Sequence, residues 1–164
     1  MERTSEHYLT FRLDDELYAI KVSEVSEVLE YERVTRLPRA DEAMKGIINL
    51  RGKSVPVFDL RLRFGFAETA LSKNSAIIVV ELEGPEAEIL KVGALVDGVE
   101  EVVEIGLGDI EAPPKMGTRL AAELIAGIAK REAKFIILVD IDAIFSSGDR
   151  ESANAATEAA AVPV

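Results

Sequence analysis

The sequence predicts a mainly β protein built from two small antiparallel barrels that pack together, with a few short helices. Three observations lead to this fold class. Apolar runs of strand length recur along the chain and are separated by polar turn residues. Blocks in the first part of the chain recur in the same order further on. At 164 residues the chain can bury about two-thirds of its surface, as one ordinary domain or as two small barrels that share a core.

The N-terminal segment has the pattern of a hairpin followed by a helix. Tyr8–Leu13 alternates apolar and polar residues, Asp14-Asp15 interrupts the pattern, and Leu17–Ile20 resumes it. In the stretch Val22–Leu29 the apolar residues fall at helical spacing, and Ser23 is available as an N-cap. We therefore expect a two-turn helix over residues 22–29.

Residues 45–64 predict a second hairpin. Two β-branched runs, Ile47-Ile48 and Val55–Phe58, flank a polar break that contains Arg51 and Gly52. Gly52 can take a positive φ at the turn, so the neighbouring Arg51 side chain is expected to face solvent. After Asp59, an N-cap type of residue, the chain can open a short helix or continue as a strand.

The second part of the chain contains four further strand candidates. These are Ser75–Glu83, Ile89–Val96, Val99–Ile105 and Lys134–Val139. Leu120–Ile128 has helical spacing, although Gly127 within it disfavours a helix. Asp140 begins a short helix, and residues 148–164 have hardly anything to bury, which predicts a flexible, alanine-rich tail or a frayed helix.

An internal repeat supports the two-barrel prediction. Gly46-Ile47 precedes Asp59-Leu60 by thirteen positions, and Gly127-Ile128 precedes Asp140-Ile141 by the same number. Upstream of these blocks, the Val25 and Val28 pair and Leu37-Pro38 correspond to the Val99 and Val102 pair and Ala112-Pro113. The repeat predicts one domain over residues 1–147, made of two interleaved or adjacent barrel subdomains with approximate halves 15–70 and 75–147 and a shared N-terminal strand region. The alternative is chance agreement between apolar strands.

The charge pattern restricts the classes of partner. A net charge of −11 argues against binding of nucleic acid or anionic lipid, because phosphate contacts need clustered cations. Between Arg33 and Arg63, however, eight basic residues stand against three acidic ones. These cations either form a face suited to an acidic partner or mix in space with the glutamates of residues 24–32.

The compartment is expected to be the cytoplasm. The chain has no cysteine, so disulfides and thiolate sites are excluded. The N-terminus is charged, and no stretch approaches the ~20 apolar residues of a membrane span, which predicts neither a signal peptide nor direct membrane insertion.

Catalytic patterns are mostly missing from the sequence. His7 is the sole histidine, which disfavours a histidine base, a catalytic triad or a histidine metal site. The carboxylate pairs Asp14-Asp15 and Asp140 with Asp142 lie at element boundaries, where turns and caps explain them. We therefore predict no catalytic, cofactor or metal residues. A small carboxylate-dependent hydrolase remains a remote alternative, which loss of turnover on changing Asp140 would support.

Several blocks of the chain carry a family resemblance. They are the Asn-Leu-Arg-Gly hairpin with its following Val-Pro-Val and Asp-Leu-Arg in residues 46–61, Val25-Ser-Glu27-Val28 before it, Gly93–Val99 after it, and Ile137–Asp142 near the end. Together they resemble the CheW family of bacterial chemotaxis coupling proteins, over about Tyr8–Phe145. The resemblance implies two five-stranded barrels of the SH3-like kind. Since no ATP-binding or receiver domain accompanies the module, a free-standing coupling protein is expected.

The resemblance also implies a function without catalysis. Members of this family are adaptors that link methyl-accepting chemotaxis receptors to the histidine kinase CheA and join membrane receptor arrays through these partners. The implied receptor-binding residues are Val25, Glu27, Val28, Arg51 and Gly52. Kinase contacts are expected at barrel ends, with Gly98 and Val99 as candidates. The alternative is a CheW-like scaffold of a non-chemotactic receptor and kinase system.

Overall fold

A computed structural model describes residues 4–36, 43–68, 70–112 and 123–161 of the chain. The strands are β1 Ser5–Leu13, β2 Glu16–Lys21, β3 Val25–Glu30, β4 Met44–Leu50, β5 Lys53–Asp59, β6 Ala76–Glu83, β7 Ile89–Val96, β8 Gly98–Gly106, β9 Ile110–Glu111, β10 Ile125–Arg131 and β11 Lys134–Val139. The helices are α1 Leu60–Arg63, α2 Ile141–Ile144 and α3 Ser147–Ala161, and single 3-10 turns span Val22–Glu24 and Leu107–Asp109.

The strands form two sheets with the same pairing pattern. One sheet has the order β3-β6-β7-β5-β4 and the other β8-β1-β2-β11-β10-β9. In each sheet a hairpin, β4–β5 or β10–β11, joins the rest through one parallel pair, β5 with β7 or β11 with β2, and all other pairs are antiparallel. The predicted mainly β fold with two packed SH3-like barrel subdomains is confirmed. The two-residue β9 makes the second sheet six-stranded.

The two subdomains are interleaved along the chain. Strands β6 and β7 pair with β3 and β5, whereas the N-terminal hairpin β1–β2 pairs with β8 and β11. Residues 76–96 thus complete the first sheet, and the N-terminal hairpin belongs to the second.

The described residues form three apolar clusters. Ile77 and Val79 of β6 point into a cluster formed by their own sheet, and Ala19 and Leu138 lie in the corresponding cluster of the other sheet. Alternate residues of β6, such as Ile78, face a third cluster that contains side chains from both sheets. Because both faces of β6 are covered, this strand is a continuous apolar run without polar alternation.

The internal repeat is visible in three dimensions. Asp59 accepts a hydrogen bond from the Arg61 N–H at the start of α1, and Asp140 caps α2 in the same way. Both hairpins carry a register shift just before the repeated glycine. A Cβ on Gly46 would lie 2.0 Å from the Thr35 carbonyl oxygen, and one on Gly127 would lie 2.5 Å from the Ile110 side chain. Glycine is thus required at both positions by close approach of a neighbouring segment.

The predicted helix over residues 22–29 is wrong. One 3-10 turn, Val22–Glu24, leads into the strand β3, which pairs with β6 and shifts register between Val25 and Glu27. Because of the 3-10 turn and the bulge, the apolar residues of this segment are spaced along the sequence as in a helix. Their backbone hydrogen bonds, however, are made with the neighbouring strand β6. Residues 125–128, which also have helical spacing, do not form a helix and belong to the strand β10. Leu120 lies outside the described residues.

The expected flexible tail with little to bury does not agree with the structure over residues 147–157. This segment forms the first part of α3, and its Ala153 and Ala156 are buried in the cluster shared by both sheets. Ser146 and Asp149 form a reciprocal capping box, with Ser146 N–H donating to Asp149 Oδ2 at 2.9 Å and Asp149 N–H to Ser146 Oγ at 3.1 Å. The buried face of α3 contains alanines, whose small side chains do not produce a recognisable apolar pattern in the sequence.

Candidate functional site

Arg51 lies at the tip of the β4–β5 hairpin. Leu50 pairs with Lys53, so Arg51 and Gly52 form a two-residue turn, with φ values of 50° and 84°. The Asn49 side chain accepts a hydrogen bond of 2.8 Å from the Gly52 N–H and closes the turn. Two positive φ values are typical of the turns that match the twist of a hairpin. The Arg51 side chain is 69% exposed, which confirms the predicted exposure at the turn.

Glu27 meets Arg51 from the neighbouring strand β3. Arg51 Nη1 donates to Glu27 Oε1 at 3.2 Å, and Arg51 Nη2 contacts Glu27 Oε2, so the pair is bidentate. The hydrogen bond from Arg51 holds the pKa of the Glu27 carboxyl below its ordinary value, and Lys91 acts weakly in the same direction. Glu27 is therefore ionised at neutral pH, and the two residues present a fixed, charge-assisted pair at the surface.

The valines beside Glu27 have different environments. Val28 is 43% exposed, whereas Val25 is half-buried against the cluster shared by both sheets. Val22, in the turn before β3, is also partly exposed. The predicted receptor-binding residues on β3 and at the hairpin tip thus combine one ion pair with an apolar strip that begins at the contact between the barrels.

Gly98 and Val99 offer little surface to a partner. Gly98 is buried, and a Cβ there would lie 2.4 Å from the Arg12 guanidinium, which covers the residue. Val99 packs against the same shared cluster as Val25 of the first barrel. The exposed apolar residue of this strand is Val102, which is 55% exposed.

The basic stretch between residues 33 and 63 is not a single cationic face. Lys45 contacts Glu68, and Arg61 Nη1 lies 2.8 Å from Asp97 Oδ2 at the turn between β7 and β8. Arg63 lies 3.3 Å from Asp149 at the start of α3. The acids in these contacts are not the glutamates of residues 24–32 that the sequence-based alternative named; of those, Glu27 pairs with Arg51. Arg39, Asp41 and Glu42 lie outside the described residues.

Sequence reasoning missed the role of α1 as a connection between the barrels. Arg61 joins this helix to the Asp97 turn, where Asp97 Oδ2 also accepts from the Asp14 N–H at 2.6 Å. Arg63 donates twice to the Ile144 carbonyl, at 3.0 and 2.7 Å. Alternating arginines behind a capped turn, as in Asp-Leu-Arg-Leu-Arg, were the available signal.

The carboxylates considered for catalysis have structural contacts. Asp140 caps α2, and the Asp142 carboxylate lies 3.1 Å from Arg150 Nη2. His7 lies 3.3 Å from Glu104 on the exposed surface. Among the residues that the structure describes, no group of three or more His, Asp or Glu side chains is placed to hold a metal ion. Nor does any helix in the described ranges have the length and apolar character needed to cross a membrane.

Comparisons with known proteins place this chain in a family. The model of the CheW-like domain matches residues 7–149. The chain belongs to the CheW-like family. Chemotaxis protein CheW of Klebsiella aerogenes is 34% identical over 146 residues, which cover 89% of this chain and 85% of that protein. The CheW of Bacillus subtilis is 29% identical over 154 residues and 94% of both chains.

A solved structure shows the same fold. The crystal structure of the scaffolding protein TtCheW from Thermoanaerobacter tengcongensis superimposes with a TM-score of 0.78 and 38% sequence identity. The match covers 89% of this chain and 96% of that one. The CheW-like module therefore accounts for both barrels, while most of α3 lies beyond the residues matched by the family model.

Proposed function

We propose that this CheW-like protein is a non-catalytic adaptor that couples methyl-accepting chemotaxis receptors to the histidine kinase CheA. The observation that carries the proposal is the bidentate pair of Glu27 and Arg51 on an exposed hairpin tip, in a chain that belongs to the CheW-like family. Asp140 and Asp142, the carboxylate pair considered for catalysis, cap a helix and contact Arg150, so the proposal rests on the protein surface. A non-catalytic adaptor needs two binding surfaces, one for the receptor and one for the kinase.

The receptor surface is proposed to lie on β3 and the β4–β5 tip. Val28 supplies exposed apolar area, and Val25 continues it towards the contact between the barrels. An amphipathic helix of a receptor tip needs an apolar strip flanked by groups that fix its orientation. Glu27 and Arg51 provide those groups, because each retains free lone pairs or N–H donors outside their mutual contact. Gly52 allows the turn that brings Arg51 there.

The kinase surface is proposed to lie at a barrel end. Gly98 and Val99 remain candidates, but their burial means that they would act by shaping strand β8 and the Arg12 side chain above it. A cytoplasmic location, with recruitment to receptor arrays through the partners, belongs to the same proposal.

A reconstituted kinase assay tests the proposal. CheA autophosphorylation is measured with a receptor signalling fragment, with and without this protein, and each binary complex is tested by calorimetry. We expect autophosphorylation to rise when all three components are present and to stay at the basal rate in every pair. If the protein binds neither partner, the chemotaxis assignment is wrong, and another signalling scaffold becomes the better interpretation of the fold.

A further inference from the structure

A cleft of about 920 Å³ lies on the far side of the Arg51 turn. One wall of the cleft is the tip of the β4–β5 hairpin, including Leu50 and Arg51. The first residues of β7 also line the cleft. The opposite wall is α3, through Asn154 and Thr157. Arg51 therefore belongs both to the surface described above and to this cleft, and the two are continuous.

Two residues of the cleft are suited to contact a partner. Ile89 is 75% exposed, the highest value among the large apolar side chains assessed in the described ranges. Asn154 is half-buried and lines the cleft from α3. Exposed apolar area within a cleft, beside an amide that can donate and accept hydrogen bonds, is typical of a surface that a partner covers. Thr157 donates to the Ala153 carbonyl at 2.9 Å.

The α3 wall is held in place before any partner arrives. Arg150 donates to the carbonyls of Phe145 at 3.0 Å, Glu83 at 2.8 Å and Asp142 at 3.1 Å. These contacts tie the first turn of α3 to both β6 and α2, and Ala153 and Ala156 bury the next turns. A partner that enters the cleft therefore does not have to order this helix, and the entropic cost of binding is reduced.

We infer that α3 is the second wall of the receptor-docking surface, with Ile89 and Asn154 as residues that contact the receptor tip. This inference rests on the function proposed above. The occupant is an amphipathic helical segment that covers Ile89 and Leu50 with apolar side chains and places a polar group against the Asn154 amide. The cleft lining carries three cations, Arg51, Lys53 and Lys91, against the two acids Glu81 and Glu88, and this small positive excess complements acidic side chains of that segment. Continuity through Arg51 assigns the cleft to the receptor and not to the kinase.

Calorimetric titration with a receptor signalling fragment tests this inference on the full chain. We expect Ile89→Ser to weaken binding about tenfold, because the apolar contact is lost, and Asn154→Ala to weaken it about fivefold, because one hydrogen bond is lost. Leu71→Ser, at an exposed apolar residue outside the cleft, and Ala155→Ser, on the exposed side of α3, are the matched controls and should bind as the wild type does. Circular dichroism establishes that each variant is folded.

The same variants are titrated with the regulatory domain of CheA, and their affinity for it should be unchanged. If the wild type binds the receptor fragment and both cleft variants bind equally well, the inference is overturned while the proposed function stands. If only kinase binding weakens, the cleft belongs to the other partner and the inference is also overturned. If the wild type binds no receptor fragment, the proposed function itself fails, and this inference with it.

Discussion

Arg63 and Asp149 join the helix after β5 to the N-terminus of α3, with Arg63 Nη2 3.3 Å from Asp149 Oδ2. The same guanidinium donates two hydrogen bonds to the Ile144 carbonyl at the end of α2. Asp149 in turn accepts from the Ser146 N–H. One arginine therefore connects an element of the first barrel with the helix of the second barrel and with α3.

Replacing Arg63 should loosen this connection. We expect Arg63→Ala to lower the free energy of unfolding by about 2 kcal/mol, because the Ile144 carbonyl and the Asp149 carboxylate lose a donor in a largely buried place. Arg63→Lys should lose less, since it keeps the charge but cannot form the paired donors. Chemical denaturation measures both. Lys73→Ala, in the loop before β6, is the control, and an equal loss there would contradict the assigned role.

The helix α3 provides a paired test of burial. Ala153 is fully buried in the shared cluster, whereas Ala155, two positions on, is exposed. We expect Ala153→Glu to destabilise the protein by about 3 kcal/mol or more, because the carboxylate enters an apolar cluster without a partner. Ala155→Glu should change the unfolding free energy by less than about 0.5 kcal/mol. Equal thermal unfolding of the two variants would restore the interpretation of this segment as a flexible tail.

Deletion of residues 148–164 extends this prediction. A flexible tail, as the sequence predicted for this segment, could be removed without loss of stability. The structure instead places Ala153, Ala156 and the Arg150 side chain in contacts with both barrels, so the shortened chain should unfold at a lower denaturant concentration. An unchanged midpoint would contradict the docking of α3.

The sequence was sufficient for the parts of the fold that depend on local pattern. The turn at Arg51 and Gly52, the caps at Asp59 and Asp140, and the continuous apolar run of β6 follow from residue types and spacing. The exposure of Arg51 was predictable for the same reason, because a two-residue turn leaves its side chain no core to enter. The family resemblance placed Glu27 and Arg51 in one receptor-binding set, and the structure shows that the two side chains are in contact.

The remaining features depend on contacts between distant parts of the chain. Residues 22–29 have helical spacing, and only pairing with β6 makes them a strand. The choice between interleaved and adjacent barrels depends on similar long-range contacts, since β1 and β2 pair with strands about 90 residues or more further on in the chain. The α3 wall was missed because alanine contributes little to a hydrophobic pattern but packs closely once its helix is anchored. Long-range pairing, and not local propensity, decided each of these cases.

Reversal of the charge at Arg51 should separate binding from folding. We expect Arg51→Glu to abolish the rise in kinase activity while the melting temperature changes by no more than a few degrees, because an exposed ion pair contributes little to stability. Arg33→Glu makes the same charge change at another exposed residue of the basic stretch and should leave coupling intact. A large loss of thermal stability in Arg51→Glu would show that Arg51 is a structural residue.

A charge swap determines how Arg51 acts. In the double variant Glu27→Arg with Arg51→Glu the ion pair can form again with its ends exchanged. If Arg51 contacts the receptor directly, receptor binding should remain weak although the pair is restored. Recovery of wild-type affinity would show that the pair acts by holding β3 and the hairpin tip together.

Glu24 should make stability fall as pH rises. Its half-buried carboxyl has a raised pKa, first because of burial, while Lys21 opposes the shift and Asp142, Asp140 and Glu6 add to it. The folded state therefore holds this proton at pH values where the unfolded chain, near its ordinary value of 4.5, has lost it. Above that value the negative charge of Glu24 lowers the stability of the folded state progressively, up to the raised pKa.

Glu24→Gln should be more stable than the wild type at pH 7, and the difference should shrink as the pH falls towards 4.5. Denaturant unfolding of both proteins across this range measures it, with Glu30→Gln, on the exposed side of β3, as the control. A difference that stays constant with pH would show that packing, and not the charge of Glu24, separates the two proteins.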